Sequence, residues 1–236
     1  MEEQFCFKQF VVHQDLCGMK VGTDGVLLGA WARGGKRVLD IGSGTGLIAL
    51  MMAQRYPQAR ITAIDIEPDA CRQAHRNVEL SPFAQCIEVE NYSVQQFALH
   101  PAHHLLFDSI VSNPPFFVDS FKSEGDKRTL ARHTDSLTFC DLFRSAAALL
   151  SPMGELSVVI PTVCLEEFEA ESYIHGFLMR RKCWVKTVEH KSPKRCLLSF
   201  GKCRDGAVEE EEHCMLTCSG EKTPWYQTLT GDFYLK

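Results

Sequence analysis

The sequence predicts an α/β fold in which a mostly parallel sheet carries helices on both faces. Short Val/Ile/Leu-rich runs alternate with longer segments of helical periodicity, the pattern of repeated βαβ units. The first sharp apolar run, Arg37–Ile41, leads through a glycine-rich turn into a helical segment. The chain has 236 residues, 45% of them hydrophobic and 23% charged, which suits one large α/β domain with a substantial core.

Arg37–Ile41 reads as a buried strand, and Leu47–Arg55 as a helix apolar all round, stopped by Tyr56-Pro57. Arg60–Asp65 is the second strand. Pro68, suited to a first helical turn, opens a helix with Ala70, Ala74, Asn77 and Val78 at helical spacing, ended by Ser81-Pro82. Cys86–Glu90 and Phe107–Ser112 are the third and fourth strands. Asp141–Leu150 is helical, Ser151–Gly154 a turn, Glu155–Ile160 a strand closed by Pro161, and Leu165–His175 a helix. Trp184–Val188 and Cys196–Phe200 read as a closing hairpin, and Glu209–Glu212 as a solvated loop. Residues 1–24 form an N-terminal extension in which Thr23 or Asp24 is expected to cap a helix starting near Val26, and residues 25–236 form one domain.

No run of about 18 apolar residues exists, which argues against a membrane span. The start, Met1-Glu2-Glu3-Gln4, lacks the basic and apolar blocks of a signal peptide. The 11 cysteines are odd in number and form no C-x-x-C pair, which points to reduced thiols in a cytoplasm. The formal charge of −5 argues, taken alone, against a nucleic-acid partner. His100, His103 and His104 lack Cys or acidic partners in the sequence around them, and no metal is expected.

Asp40-Ile41-Gly42-Ser43-Gly44-Thr45-Gly46 lies between a strand and a helix. Glycines there allow a tight turn and let a ligand approach main-chain N–H groups with no Cβ in the way. The spacing is G-x-G-x-G rather than the dinucleotide G-x-G-x-x-G, which favours S-adenosylmethionine over NAD. Asp65, ending the next strand, can accept both hydroxyls of a ribose. Asp40 can orient the loop near a ligand ammonium group. Ser43 and Ile66 complete this part of the candidate cofactor site.

Asn113-Pro114-Pro115-Phe116 follows the fourth strand at its carboxyl end, where open α/β sheets hold their ligands. Two prolines make a stiff, extended loop. The Asn113 side-chain oxygen and the Pro114 carbonyl can both accept from one NH₂ group. Such an amine is a poor nucleophile while its lone pair is delocalised into a ring. Two rigid acceptors draw the nitrogen toward a pyramidal geometry, and Phe116 offers a face for stacking a planar substrate.

With the glycine loop, this tetrapeptide resembles the N/D-P-P-Y/F motif of class I S-adenosylmethionine-dependent amino-methyltransferases. That resemblance implies a Rossmann-like fold with a seven-stranded, mostly parallel sheet, and an exocyclic or amide nitrogen as the attacked atom. Phe7-Lys8-Gln9-Phe10, the segment Met19–Trp31 and Ala131-Arg132-His133-Thr134 narrow it further. Together with the C-terminal Phe233-Tyr234-Leu235 they are similar to the bacterial family that methylates adenine N6 at position 37 of valine tRNA. Such enzymes often carry an acid near the cofactor adenine amine after the third strand; here the nearest counterpart is Ser93. Other amino substrates (ribosomal RNA, DNA, a release-factor glutamine) and a non-catalytic RNA-binding module remain as alternatives.

A tRNA substrate requires cations for its phosphates. From Arg180 to Arg204 there are nine basic residues against one acid, Glu189. Arg180, Arg181, Lys182, Lys194 and Arg195 are therefore candidate RNA contacts. Lys8, Lys20, Arg128 and Arg132 are others.

Overall fold

The computed structural model describes residues 4–18, 20–114, 137–203 and 206–235. Its strands are β1 (Gln4–Cys6), β2 (Val11–His13), β3 (Arg37–Ile41), β4 (Arg60–Asp65), β5 (Ile87–Asn91), β6 (Phe107–Ser112), β7 (Leu150–Pro161), β8 (Leu178–Val188), β9 (Arg195–Gly201) and β10 (Glu209–Leu216). Its α-helices are α1 (Thr23–Trp31), α2 (Leu47–Arg55), α3 (Pro68–Glu79), α4 (Val94–Ala98), α5 (Phe139–Leu149), α6 (Leu165–Ile174) and α7 (Pro224–Thr230). β1 and β2 form a small antiparallel hairpin, and the other strands form one sheet in the order β10-β8-β9-β7-β6-β3-β4-β5. β9 is antiparallel to both its neighbours, and every other pairing in this sheet is parallel.

Side-chain alternation along the strands sorts the core into two layers. Val38 of β3, Ile61 and Ala63 of β4 and Leu197 of β9 meet α1, α2 and α7. Leu39, Ile41, Ile64 and Leu198, on the opposite face, meet α4, α5 and α6. Both faces are covered, which is why these strands read as continuous apolar runs. The N-terminal hairpin belongs to the first layer: Phe7, Phe10 and Val12 are buried there with Phe233. Phe7 stacks on Phe10 at 4.8 Å and on Tyr234 at 5.9 Å, so the two ends of the chain close one aromatic cluster.

The main sheet has eight strands, one more than expected. The addition is β10, and it contains the glutamates read as a loop. Glu209–Glu212 pair with Arg181–Trp184 of β8 in parallel register. Four like charges make a strand here because a basic strand lies beside them. Lys186 reaches Glu212 at 2.5 Å and Lys182 reaches Glu210 at 3.4 Å. Arg181 lies 3.6 Å from both Glu155 and Glu209, and its guanidinium stacks 3.8 Å from the Trp31 ring centroid.

Two local expectations are corrected as well. Ser151–Gly154 lie within β7, because the strand bulges between the pairs Phe107–Leu150 and Ser109–Glu155 instead of turning. Arg180 ties that bulge down by donating to the carbonyls of Met153 and Gly154, and its Nε donates to Cys203 O at 2.8 Å. Neither Thr23 nor Asp24 caps α1; the N-cap is Gly22, without a side-chain bond. Asp24 instead pairs with Arg195 at 2.9 Å, fixing α1 to β9.

Glu155 is nearly buried and is answered by Arg181 at 3.6 Å and by the more exposed Arg33 at 3.9 Å, so removing Arg181 leaves it only the weaker, longer pair. Arg181→Ala is expected to lower stability by about 2 kcal/mol through that weakened pairing and the uncovered Trp31 face. The measurement is a urea midpoint at unchanged m. A loss under about 0.5 kcal/mol would place the ion cluster among ordinary surface pairs.

Candidate active site

The register of β3, β4 and β6 brings the separate motifs to one place. Ile41 pairs with Ile64 on one side and Ser112 on the other, so Gly42, Asp65 and Asn113 leave the sheet at the same level. Asp65 pairs in turn with Asn91, which puts Tyr92 and Ser93 at that edge too.

The loop after β3 is held mainly by β4. Ile64 O accepts from Gly42 N at 2.9 Å and from Ser43 N at 3.0 Å, and Asp65 Oδ2 accepts from Gly44 N at 2.8 Å. Gly46 N donates to Ser43 O. Gly42, Gly44 and Gly46 all have positive φ, at 71°, 55° and 79°. A Cβ on Gly46 would lie 3.3 Å from Ala74 Cβ, whereas one on Gly42 would point into open space. Glycine at 42 is therefore needed for backbone conformation and leaves room for a ligand. The amides of Gly42, Ser43, Gly44 and Gly46 are already bonded within the protein, so at its glycines the loop offers open backbone surface more than free donors.

Asp40 is fully buried, and its Oδ2 accepts from Ala49 N at 3.0 Å. Oδ1 has no hydrogen-bond partner among the described residues, and neither does the buried Ser43 Oγ. Burial pushes the Asp40 carboxyl from 3.8 up to about 7; the Ala49 bond opposes the rise and Asp65 adds to it. These orphaned acceptors beside an open glycine cradle suit a ligand that carries an ammonium group. Asp65, half-buried, uses Oδ1 for Glu67 N and Oδ2 for Gly44 N, and each oxygen keeps a lone pair for a hydroxyl. Ile66 and Tyr92, 50% and 47% exposed, put apolar surface next to it. Ser93 caps α4, its Oγ accepting from Gln96 N at 3.2 Å.

Two residues with no assigned role in the sequence reading organise this edge. Asn77 of α3 is fully buried: its Nδ2 donates to Thr45 O in the glycine loop and to His13 O, and its Oδ1 accepts from His13 N. One turn earlier, Gln73 Oε1 accepts from Leu16 N at 2.8 Å. The chain after β2 is thus clasped to α3 beside the cofactor loop. The available signal was two amides four residues apart on the apolar face of a strongly amphipathic helix, where a buried polar group must have partners.

Asn113 is half-buried and Pro114 buried. Pro115 and Phe116, and likewise Arg128 and Arg132, lie outside the described residues. The basic cluster divides between the two edges of the sheet. Arg180 to Lys182 begin β8, at the opposite edge, and all three hold carbonyls or carboxylates. At about 3.3 Å per residue they stand roughly 20–26 Å below the carboxyl end of β8. Arg195 is at the right edge but is paired with Asp24. Lys8 donates to Gly231 O at 2.5 Å, and Lys20 is exposed near the clasped segment. Lys194 is exposed at the carboxyl edge.

A sheet in this order, with a glycine loop and an acid at adjacent carboxyl ends and an Asn-Pro motif after the fourth core strand, defines a class I methyltransferase. The Methyltransferase small domain model matches residues 21–168. The fold is that of the predicted O-methyltransferase Atu636 from Agrobacterium tumefaciens, with TM-score 0.69 and 20% identity over 89% of this chain and 96% of that one. It is also that of Pyrococcus horikoshii TYW2 in complex with MeSAdo, with TM-score 0.59 and 13% identity over 86% and 72%. The chain is 47% identical to the tRNA1(Val) (adenine(37)-N6)-methyltransferase of Phocaeicola vulgatus, over 98% of this chain and 97% of that one. It is 40% identical to that of Tolumonas auensis, over the same shares. It belongs to the tRNA1(Val) (adenine(37)-N6)-methyltransferase family.

Asp40 makes stability depend on pH. Its folded value lies above the unfolded one, so a proton is taken up on folding between about pH 4 and 7. Its contribution is complete below about pH 4 and is lost as pH rises toward 7. Urea midpoints across that range are expected to fall for the wild type and to be flatter for Asp40→Asn; identical slopes would clear Asp40. Asn77→Ala, which strands three backbone groups, is expected to cost about 2–4 kcal/mol and to weaken S-adenosylhomocysteine binding about tenfold in calorimetry. Unchanged affinity would show that the clasp does not shape the cofactor loop.

Proposed function

We propose that this chain carries out the reaction of its family, transfer of a methyl group from S-adenosylmethionine to N6 of adenine 37 in valine tRNA, in the cytoplasm. S-adenosylmethionine, when bound, supplies an electrophilic methyl group on a sulfonium. Asp40 and Ser43 would hold its ammonium end, Gly42, Gly44 and Gly46 leave its path clear, and Asp65 takes its ribose. Ile66 flanks the adenine, and Ser93 provides at most one uncharged acceptor for the adenine amine. Residues 25–236 act as the catalytic domain, with 1–24 as the extension clasped beside its cofactor loop.

The target base must leave its stack to reach this edge. The Asn113 side-chain oxygen and the Pro114 carbonyl then each accept a hydrogen bond from its N6 amine. This orients the nitrogen lone pair and stabilises the positive charge that grows on it, with no prior deprotonation. The surplus proton of the amine leaves to solvent after the methyl group has moved and the sulfonium has become a thioether. In this reading Pro115 and Phe116 of the motif would serve to stiffen the segment and to stack on the base. The observation carrying this reading is the shared level of Gly42, Asp65 and Asn113 set by β3, β4 and β6.

Incubation with labelled S-adenosylmethionine, valine tRNA, ribosomal RNA, DNA and release factors, followed by nucleoside mass analysis, tests it. Label is expected as N6-methyladenosine in tRNA; label in protein alone would overturn the substrate. Asn113→Ala is expected to keep S-adenosylhomocysteine affinity while losing about 10²-fold or more in transfer. Near-normal turnover in that variant would remove the proposed role.

A further inference from the structure

The cations of this chain divide by what answers them. On β8 and at the start of β9, Arg181, Lys182, Lys186 and Arg195 each have a carboxylate partner. The turn joining those strands does not follow that pattern. Lys191 and Lys194 are both exposed, and among the described residues neither has a carboxylate within ion-pair distance. The turn itself is well fixed: Lys191 N donates to Val188 O, Lys194 N to Val185 O, and Thr162 binds both the Lys194 and the Pro193 carbonyls. Two lysines on a fixed turn are thus left without counterions while the strands on either side of it are neutralised.

Topology says which face they serve. β8 is parallel to β7 through β9, and β7 is parallel to β6, so the end of β8 lies at the same sheet edge as Asn113. β7 passes Ser112 at Val158 and continues to Pro161, which pairs with Arg195. The turn therefore projects about three residues, roughly 10 Å, beyond the level of Ser112, and two strand spacings, about 10 Å, to its side. A base inserted at Asn113 would bring its flanking backbone phosphates into that range.

Resting on the proposed reaction, we propose that Lys191 and Lys194 on the β8–β9 turn bind backbone phosphates of the RNA next to the methylated base. Arg180, Arg181 and Lys182 take no part in that contact. The lysines act on binding alone and do not touch the reacting atoms.

The test compares Lys191→Ala/Lys194→Ala with Lys36→Ala/Arg37→Ala, an equal charge change at the opposite edge, using valine tRNA transcript. The turn variant is expected to bind tRNA about tenfold more weakly at low salt. Its plot of log K against log salt is expected to be shallower by about 1.5, two phosphates at roughly 0.7–0.9 each. KM for tRNA should rise with kcat unchanged, and S-adenosylhomocysteine affinity should match the wild type. The opposite-edge variant should behave as wild type. An unaltered salt slope in the turn variant, or an equal loss in the opposite-edge variant, would overturn the proposal. If the wild type methylates tRNA while the turn variant is unaffected, the proposed reaction stands and only the phosphate contact falls. A wild type that neither binds nor methylates tRNA would overturn both.

Discussion

The carboxyl end of β4 holds the site together. Ile64 O takes the first two amides of the glycine loop, and Asp65 takes the next through its side chain. Because Ile41, Ile64 and Ser112 share one register level, a single anchoring event fixes the loop, the acid and the start of the tetrapeptide together. Asn91 reinforces the corner from β5 by donating to the carbonyls of Asp65 and Ile66. The clasp of Asn77 on Thr45 and His13 closes the other side.

The charge distribution follows the same geometry. A net charge of −5 is a sum over the surface and does not describe any one face. The glutamates of β10 are matched to the cations of β8 across a parallel register, so that stripe is rich in charge but nearly neutral in sum. An edge strand rich in charge also resists pairing with other chains.

The fold was largely legible in sequence. Strands buried on both faces are continuous apolar runs, and Arg37–Ile41, Arg60–Asp65 and Phe107–Ser112 were readable to the residue because helices cover them on each side. The glycine loop and Asp65 were readable for a related reason: a backbone that must adopt positive φ three times in five residues leaves glycine as the ordinary choice. Glu209–Glu212 were misread because a run of like charge has no strand signal of its own. Its stability comes from Arg181, Lys182 and Lys186, more than two dozen positions earlier. Ser151–Gly154 failed similarly, since a Ser-Pro-x-Gly text fits a turn and a bulge equally well. The same long-range dependence hid the roles of Asn77 and Gln73, whose partners lie on the N-terminal segment.

By itself, the sequence determined the class of fold and placed the glycine loop, Asp65 and the Asn-Pro motif at strand ends, because each rests on local backbone or side-chain chemistry within a few residues. Only the tertiary structure decided which cations are free and which are answered. Pairing depends on strand order and register, and a lysine in the β8–β9 turn looks the same in sequence as one buried against a glutamate on the neighbouring strand.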